Sequence, residues 1–169
     1  ESADDIRAKD FFRLYGGRYY VFKYAGLKRT ESLTGISTYT YRNKTSNWIV
    51  YRLSDVLLMK AEALVQTGGE NNLNEALNMV NKTYLRSNEM QDSLNTSNYP
   101  TSVEMGNLVL RERQRELLFE GKRWFDLVRV ARRENSTMIL NDYMDRKASG
   151  ESASIGISKS QNIICQFGF

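Results

Sequence analysis

The sequence predicts a mainly α fold with long irregular loops and a short β-strand near the N-terminus. Three observations carry that prediction. Apolar residues recur at helical spacing in consecutive runs between residues 51 and 133. Glycine pairs and capping patterns punctuate those runs. Residues 1–50, by contrast, are aromatic and polar and show no long helical period.

Within residues 1–50, Gly16-Gly17 reads as a turn. Arg18 to Tyr24 follows as a short strand, because β-branched and aromatic residues fit a pleated surface. Residues 25–47 carry Gly, Ser, Thr and Asn throughout and read as a long loop bearing Tyr39 and Tyr41. Tyr51 to Gln66 is predicted as a helix with a stripe of Leu53, Leu57, Ala61 and Leu64, flanked by Val56 and Ala63. Gly68-Gly69 stops it. A second helix spans Leu73 to Arg86, started by Asn72 with Glu75 three residues on. Its stripe is Leu73, Ala76, Leu77, Val80 and Tyr84. So short a connection makes the two helices antiparallel. The pair has tetratricopeptide-like form, but no second copy follows, and a solenoid needs at least about three repeats.

After a polar stretch, Thr101 with Glu104 forms a second capping box, and that helix is predicted to reach Glu120. Gly121 breaks it. A shorter helix covers Arg123 to Arg133, with Trp124, Leu127, Val128 and Ala131 on one face. Another short helix is expected near Ser136 to Met144. The tail from residue 145 is rich in Ser, Gly and Lys, and ends in apolar Ile163 to Phe167. The chain length fits one domain: a loop and strand segment at 1–50, a helical core at 51–133 and a tail at 134–169.

Bulk chemistry excludes several function classes. There is no histidine, which removes Ser-His-Asp and Cys-His catalysis and histidine metal ligation. Cys165 is the single cysteine, so no internal disulfide or CxxC pair exists. No metal or cofactor is assigned. No apolar run approaches the ~20 residues of a membrane span. Net charge is +4, with acidic residues interleaved among Lys122, Arg123, Arg129, Arg132 and Arg133. Nucleic-acid binders concentrate positive charge on one face, so that reading is set aside.

The most specific stretch is Arg111 to Arg129, RERQRELLFEGKRWFDLVR. Glu112, Glu116 and Glu120 stand four apart, and like charges at that spacing repel unless cations compensate. Two readings compete. Glu116 and Glu120 resemble in type the carboxylate pair of a glycosidase. Alternating charge on helices more often reports an ion network. The preferred reading is a network of Glu112, Arg115, Glu116, Glu120, Arg123, Asp126 and Arg129 that locks two helices across Gly121. Trp124 and Phe125, with apolar neighbours Leu127 and Val128, are read as core.

Three stretches resemble the SusD/RagB family of outer-membrane nutrient-binding lipoproteins of Bacteroidetes, in its C-terminal portion. They are Tyr51 to Ala63, Glu75 to Asn81, and Arg113 to Arg129. Upstream, Asp5-Ile6-Arg7 and Lys23-Tyr24 sit where that family has an Asp-x-Arg and a Lys-Tyr. The tail lacks the family's prolines. The resemblance implies tetratricopeptide-like hairpins and non-enzymatic capture of an oligosaccharide or other nutrient at the cell surface. It implies delivery to a SusC-like TonB-dependent outer-membrane transporter. It also implies a lipid anchor at a mature N-terminal cysteine, outside this chain, since Cys165 is misplaced for that role. The chain is therefore read as a C-terminal portion of such a protein.

Under that reading the candidate ligand contacts are aromatic rings on loops, where binding residues concentrate. Tyr39 and Tyr41 stand among Ser37, Thr38, Asn43 and Asn47. Trp48, nearer the hairpin and expected to be half-buried, joins them. The alternative is a tetratricopeptide-like protein-interaction module whose hairpin groove holds a partner chain.

Overall fold

Two adjacent glycines let the chain reverse between the two longest helices. Gly68 (φ 74°) and Gly69 (φ 88°) both adopt backbone angles that side-chain-bearing residues avoid. They join α2 (Leu53–Thr67) to α3 (Glu70–Ser87). The computed structural model describes residues 5–24, 27–31, 37–41 and 47–148. The apolar segment Ile163 to Phe167, Cys165 and the rest of the tail from 149 lie outside the described residues. The fold is mainly α, as predicted. The chain divides into two compact units, Glu1–Glu120 and Gly121–Phe169.

In the first unit, α1 (Ile6–Phe11) leads into β1 (Phe12–Tyr15), which pairs antiparallel with β2 (Arg18–Val21) around Gly16-Gly17. The strand predicted to run to Tyr24 ends at Val21. Phe22 then donates its backbone N–H to Phe11 O at 2.8 Å, and Lys23-Tyr24 turns away. The predicted loop over residues 25–47 also contains order. β3 (Leu27–Glu31) pairs antiparallel with β4 (Ser37–Tyr41), setting Arg29 opposite Tyr39 and Leu27 opposite Tyr41. Alternating Thr and Tyr favour a strand there, and the polar composition hid it.

The core lies between α2, α3 and α4 (Ser102–Glu116). Leu58, Ala61 and Val65 of α2 meet Ala76, Leu77, Met79 and Val80 of α3 and Met105, Leu108 and Val109 of α4. Ala61 and Ala76 are wholly buried, and their small size brings the helices close. The buried face of α2 is rotated from the predicted stripe. Leu53 is 72% exposed and Val56 50% exposed, while Ser54, Asp55 and Leu58 face inward. Phe125 departs similarly, exposed beside buried Leu127.

Helix limits also shift. α2 starts at Leu53 because Arg52 is extended (φ −148°, ψ 165°). α3 starts three residues early, with Gly69 as its N-cap, and the Asn72 amide instead donates to Gly68 O at 2.6 Å. The Thr101 capping box forms as predicted: Glu104 N–H donates to Thr101 Oγ1 and Thr101 N–H to Glu104 Oε2, each at 3.1 Å. α4 stops at Glu116, four residues short of the prediction. Between α3 and α4, the Asn81 amide pins Leu94 by accepting its N–H at 2.9 Å and donating to its carbonyl at 3.0 Å.

The second unit holds α5 (Arg123–Glu134) and α6 (Met138–Ala148). Leu127, Ala131 and Leu140 form its buried centre, with Trp124, Val128, Ile139 and Tyr143 packed around them. Asn135 ends α5 in the left-handed conformation (φ 47°).

Met105, fully buried where α4 meets the hairpin, tests the core. Met105→Ala is expected to destabilise the chain by about 2–5 kcal/mol, read from urea denaturation. A cost near zero would mean that α4 does not pack as described.

Candidate functional site

α4 ends with carbonyls that have no partner within the helix, and it ends among carboxylates. Glu112 and Glu116 are one turn apart on α4, and Glu120 follows in the turn after it. Each is 1–2% exposed. Phe119 (φ 66°) and Gly121 (φ 73°) take left-handed angles, and that turn keeps Glu120 inside.

Cations converge on the three carboxylates from four places. Arg7 of α1 donates from Nη1 to Glu112 Oε1 at 2.7 Å and to Glu116 Oε2 at 3.2 Å. Its Nε and Nη2 hold Asp5 at 2.9 and 2.8 Å. Arg52, just before α2, donates to Glu116 Oε1 at 2.6 Å and to Glu120 Oε1 at 2.8 Å. Arg86, in the last turn of α3, also donates to Glu116 Oε1. Lys23 donates from Nζ to Glu120 Oε1 at 2.5 Å. The same ammonium reaches Glu116 O and Leu118 O, each at 2.9 Å. Arg52 Nη2 donates to Glu116 O as well, at 2.6 Å. Lys23 and Arg52 thus satisfy the orphan carbonyls at the helix end, where positive charge is favoured.

Four carboxylates (Asp5, Glu112, Glu116, Glu120) face four cations (Arg7, Lys23, Arg52, Arg86). The cluster is electrically balanced, which is what makes its burial tolerable. Burial alone would raise the Glu116 pKa, but hydrogen bonds and charge from Arg86 and Arg52 overcome it and bring the group down to about 2. Burial pulls the Lys23 ammonium below its usual value, against the attraction of Glu120. Nearby, Arg113 and Asp55 make a separate buried pair at 3.0 Å.

These partners differ from those that spacing suggested. Among the described residues, every cation on Glu112, Glu116 and Glu120 comes from before α4. Arg123, Asp126 and Arg129 lie in the second unit. There Asp126 pairs with Arg129 at 2.8 Å, and the Arg123 guanidinium stands 5.4 Å from the Tyr143 ring centre. Arg115 is half-buried and makes no hydrogen bond or ion pair among the described residues, although its charge helps to lower Asp5. Arg7 and Lys23 stand in the two short upstream motifs, Asp5-x-Arg7 and Lys23-Tyr24. Nothing local in the sequence marks Arg86.

The arrangement is poor for acid catalysis. A glycosidase acid needs a raised pKa, and Glu116 goes the other way. Among the described residues no cluster of three or more His, Cys, Asp or Glu is placed to hold a metal ion.

The candidate ligand residues lie elsewhere. Trp48 is 61% exposed, more than expected. One ring face stacks on Tyr24, with centroids 5.3 Å apart and planes 11° from parallel. Tyr24 follows Lys23 of the cluster directly, so the stack is held by the buried charges. Tyr39 and Tyr41 are in β4 rather than a loop, and their side chains lie outside what is described. Val50 and Tyr51 add exposed apolar surface beside Trp48, at 62% and 67%.

A helical hairpin is thus tied by buried charge to the segment before it, with an aromatic stack alongside. A model of the SusD family matches residues 15–162, and the chain belongs to that family. It is 34% identical over 141 residues to SusD-like protein P38 of Formosa agariphila, covering 77% of this chain and 26% of that protein. It is 32% identical over 116 residues to SusD-like protein P2 of the same organism, covering 67% of this chain and 20% of that protein. The chain thus spans about a quarter or less of the length of these relatives. No solved structure matches it.

Two outcomes test the cluster. Glu116→Ala leaves Arg52, Arg86 and Arg7 short of an anion, and is expected to cost about 3–5 kcal/mol of stability. Ligand affinity per folded molecule should stay unchanged. Full stability with lost binding would instead make Glu116 a ligand contact. Acid should act on the same group. Its pKa is depressed in the fold, so its contribution is present above about pH 4.5 and fades as pH falls towards 2. The loss should reach roughly 3 kcal/mol in denaturation curves taken from pH 6 to 2.5. A flat profile would contradict the ion cluster.

Proposed function

We propose that this chain belongs to a surface protein that captures an oligosaccharide or other nutrient by non-covalent binding, without catalysis. Captured ligand passes to a SusC-like TonB-dependent outer-membrane transporter, and a lipid anchor outside this chain holds the protein at the cell surface. Family membership supports the class. Among the described residues, no helix is long and apolar enough to cross a membrane.

The observation that carries the binding role is Trp48. A sugar presents an apolar C–H face, and an exposed indole already fixed from behind by Tyr24 receives it at little entropic cost. Tyr39 and Tyr41 in β4 are the further candidate contacts. The buried Glu112, Glu116 and Glu120 hold the scaffold beneath.

One observation favours a second reading, a protein-interaction module. The outer side of α2 exposes Leu53, Val56 and Met59 at 72%, 50% and 38%, and these fall on one helical face. A tetratricopeptide-like hairpin presents such a face to a neighbouring helix.

Trp48→Ala separates the two. Screened by calorimetry against neutral oligosaccharides, it should bind roughly tenfold more weakly than the parent chain, with a melting temperature nearly unchanged because the ring is exposed. If affinity for every oligosaccharide is the same with and without Trp48, the stack is not the binding surface. Affinity for a partner protein alone selects the second reading.

A further inference from the structure

Sequence order interleaves acids with the basic run from Lys122 to Arg133, and the fold sorts them. Asp126 is 1% exposed, on the side of α5 that also buries Leu127, Val130 and Ala131. Arg123 turns to the Tyr143 ring. Arg129, Arg132 and Arg133 are exposed, and Lys122, at the N-cap, is half-buried. Residues three, four and seven apart share one side of a helix. These four cations and Phe125 therefore stand on one face of α5, spread over roughly 16 Å by the helical rise. The same spacing turns Glu134, the last residue of the helix, away from that face.

Three features decide what such a face fits. Arg129 donates to Asp126 Oδ1 at 2.8 Å while 44% of its side chain stays exposed, so a buried acid orients the guanidinium without covering it. Phe125, between Lys122 and Arg129, is 67% exposed. A neutral ring adds nothing to the attraction for bare phosphate, but it packs on the apolar C–H face of a sugar. The guanidinium groups around it match carboxylate or sulfate in two-bond forks. The apolar side of α5 faces the interior, so this helix has no apolar face to lay into a lipid surface. The cationic face is open and elongated, and a polymer lying along it needs no cavity.

We infer that this face of α5 binds an acidic polysaccharide, with Lys122, Arg129, Arg132 and Arg133 holding its carboxylate or sulfate groups and Phe125 packing on a sugar ring. The inference rests on the capture role proposed above and deepens it by naming the charge of the ligand. It shares no residue with the Trp48 stack.

Dextran sulfate, polygalacturonate, neutral dextran and inorganic polyphosphate are titrated into the chain by calorimetry at several salt concentrations. Vesicles of phosphatidylglycerol are tested by cosedimentation. At least one acidic polysaccharide should bind roughly tenfold or more tightly than dextran. Arg132→Gln with Arg133→Gln, both exposed positions, should remove most of that advantage. It should also flatten the slope of log K against log salt by roughly one to two. Lys82→Gln with Arg111→Gln removes the same charge from exposed sites elsewhere and should leave affinity nearly unchanged. Phe125→Ala should weaken the acidic polysaccharide several-fold and leave polyphosphate unaffected.

The inference fails if the Lys82 and Arg111 variant weakens binding as much as the α5 variant, since net charge alone would then explain it. Tighter binding of polyphosphate or phosphatidylglycerol vesicles than of either acidic polysaccharide would also overturn it, as would an unaltered affinity in Phe125→Ala. Acidic polysaccharide bound through α5, with no neutral oligosaccharide bound at Trp48, would retire the Trp48 reading and leave this one standing. Neutral oligosaccharide bound at Trp48, with no gain for the acidic polymers, would do the reverse.

Discussion

Three arginines meet at the Glu116 carboxylate, and the first unit depends on that meeting. Arg7 reaches it across 109 residues of sequence, Arg52 across 64 and Arg86 across 30. An apolar core between α2, α3 and α4 explains how those helices pack, but it does not explain what fixes the N-terminal segment. Arg7 does that, and it reaches α4 because Asp5 orients its guanidinium from the other side. A buried charge network is a demanding solution. Each charge removed from water must find compensation, so the cluster tolerates one arrangement of its segments and penalises others.

The same cluster solves a second problem at the end of α4. The helix stops where a left-handed turn at Phe119 folds Glu120 back inward, and its free carbonyls receive Lys23 and Arg52. Charge neutralisation and helix termination therefore use the same two side chains. This is why α4 stops at Glu116 although helical spacing continues to Glu120. It is also why the strand before Lys23 gives out at Val21. Lys23 must leave the strand to reach those carbonyls, and Tyr24 is carried with it to the position where Trp48 stacks.

Function follows from what the cluster leaves outside. Carboxylates that are buried and neutralised have no surface to offer, and Glu116, held at low pKa, has no proton to give. Under the capture role proposed above, the exposed ring of Trp48 is the group left to meet a ligand.

Much of this architecture is legible in the chain itself. Helical spacing and capping patterns place α2 to α6 to within a few residues, because those signals act over one or two turns. Glu112, Glu116 and Glu120 announce a need for cations by their spacing alone. The suppliers cannot be read that way. Spacing pointed forward to Arg123 and Arg129, which are near in sequence, whereas Arg7, Lys23, Arg52 and Arg86 come from behind. The inward face of α2 likewise turned on Ser54 and Asp55, polar residues buried for their partners and invisible to a hydrophobic period. Local sequence determines which segments become helices, because propensity and capping are local. Only the tertiary structure decides which charges neutralise one another and which ring or guanidinium is left facing solvent, because those pairings act across a hundred residues at about 3 Å.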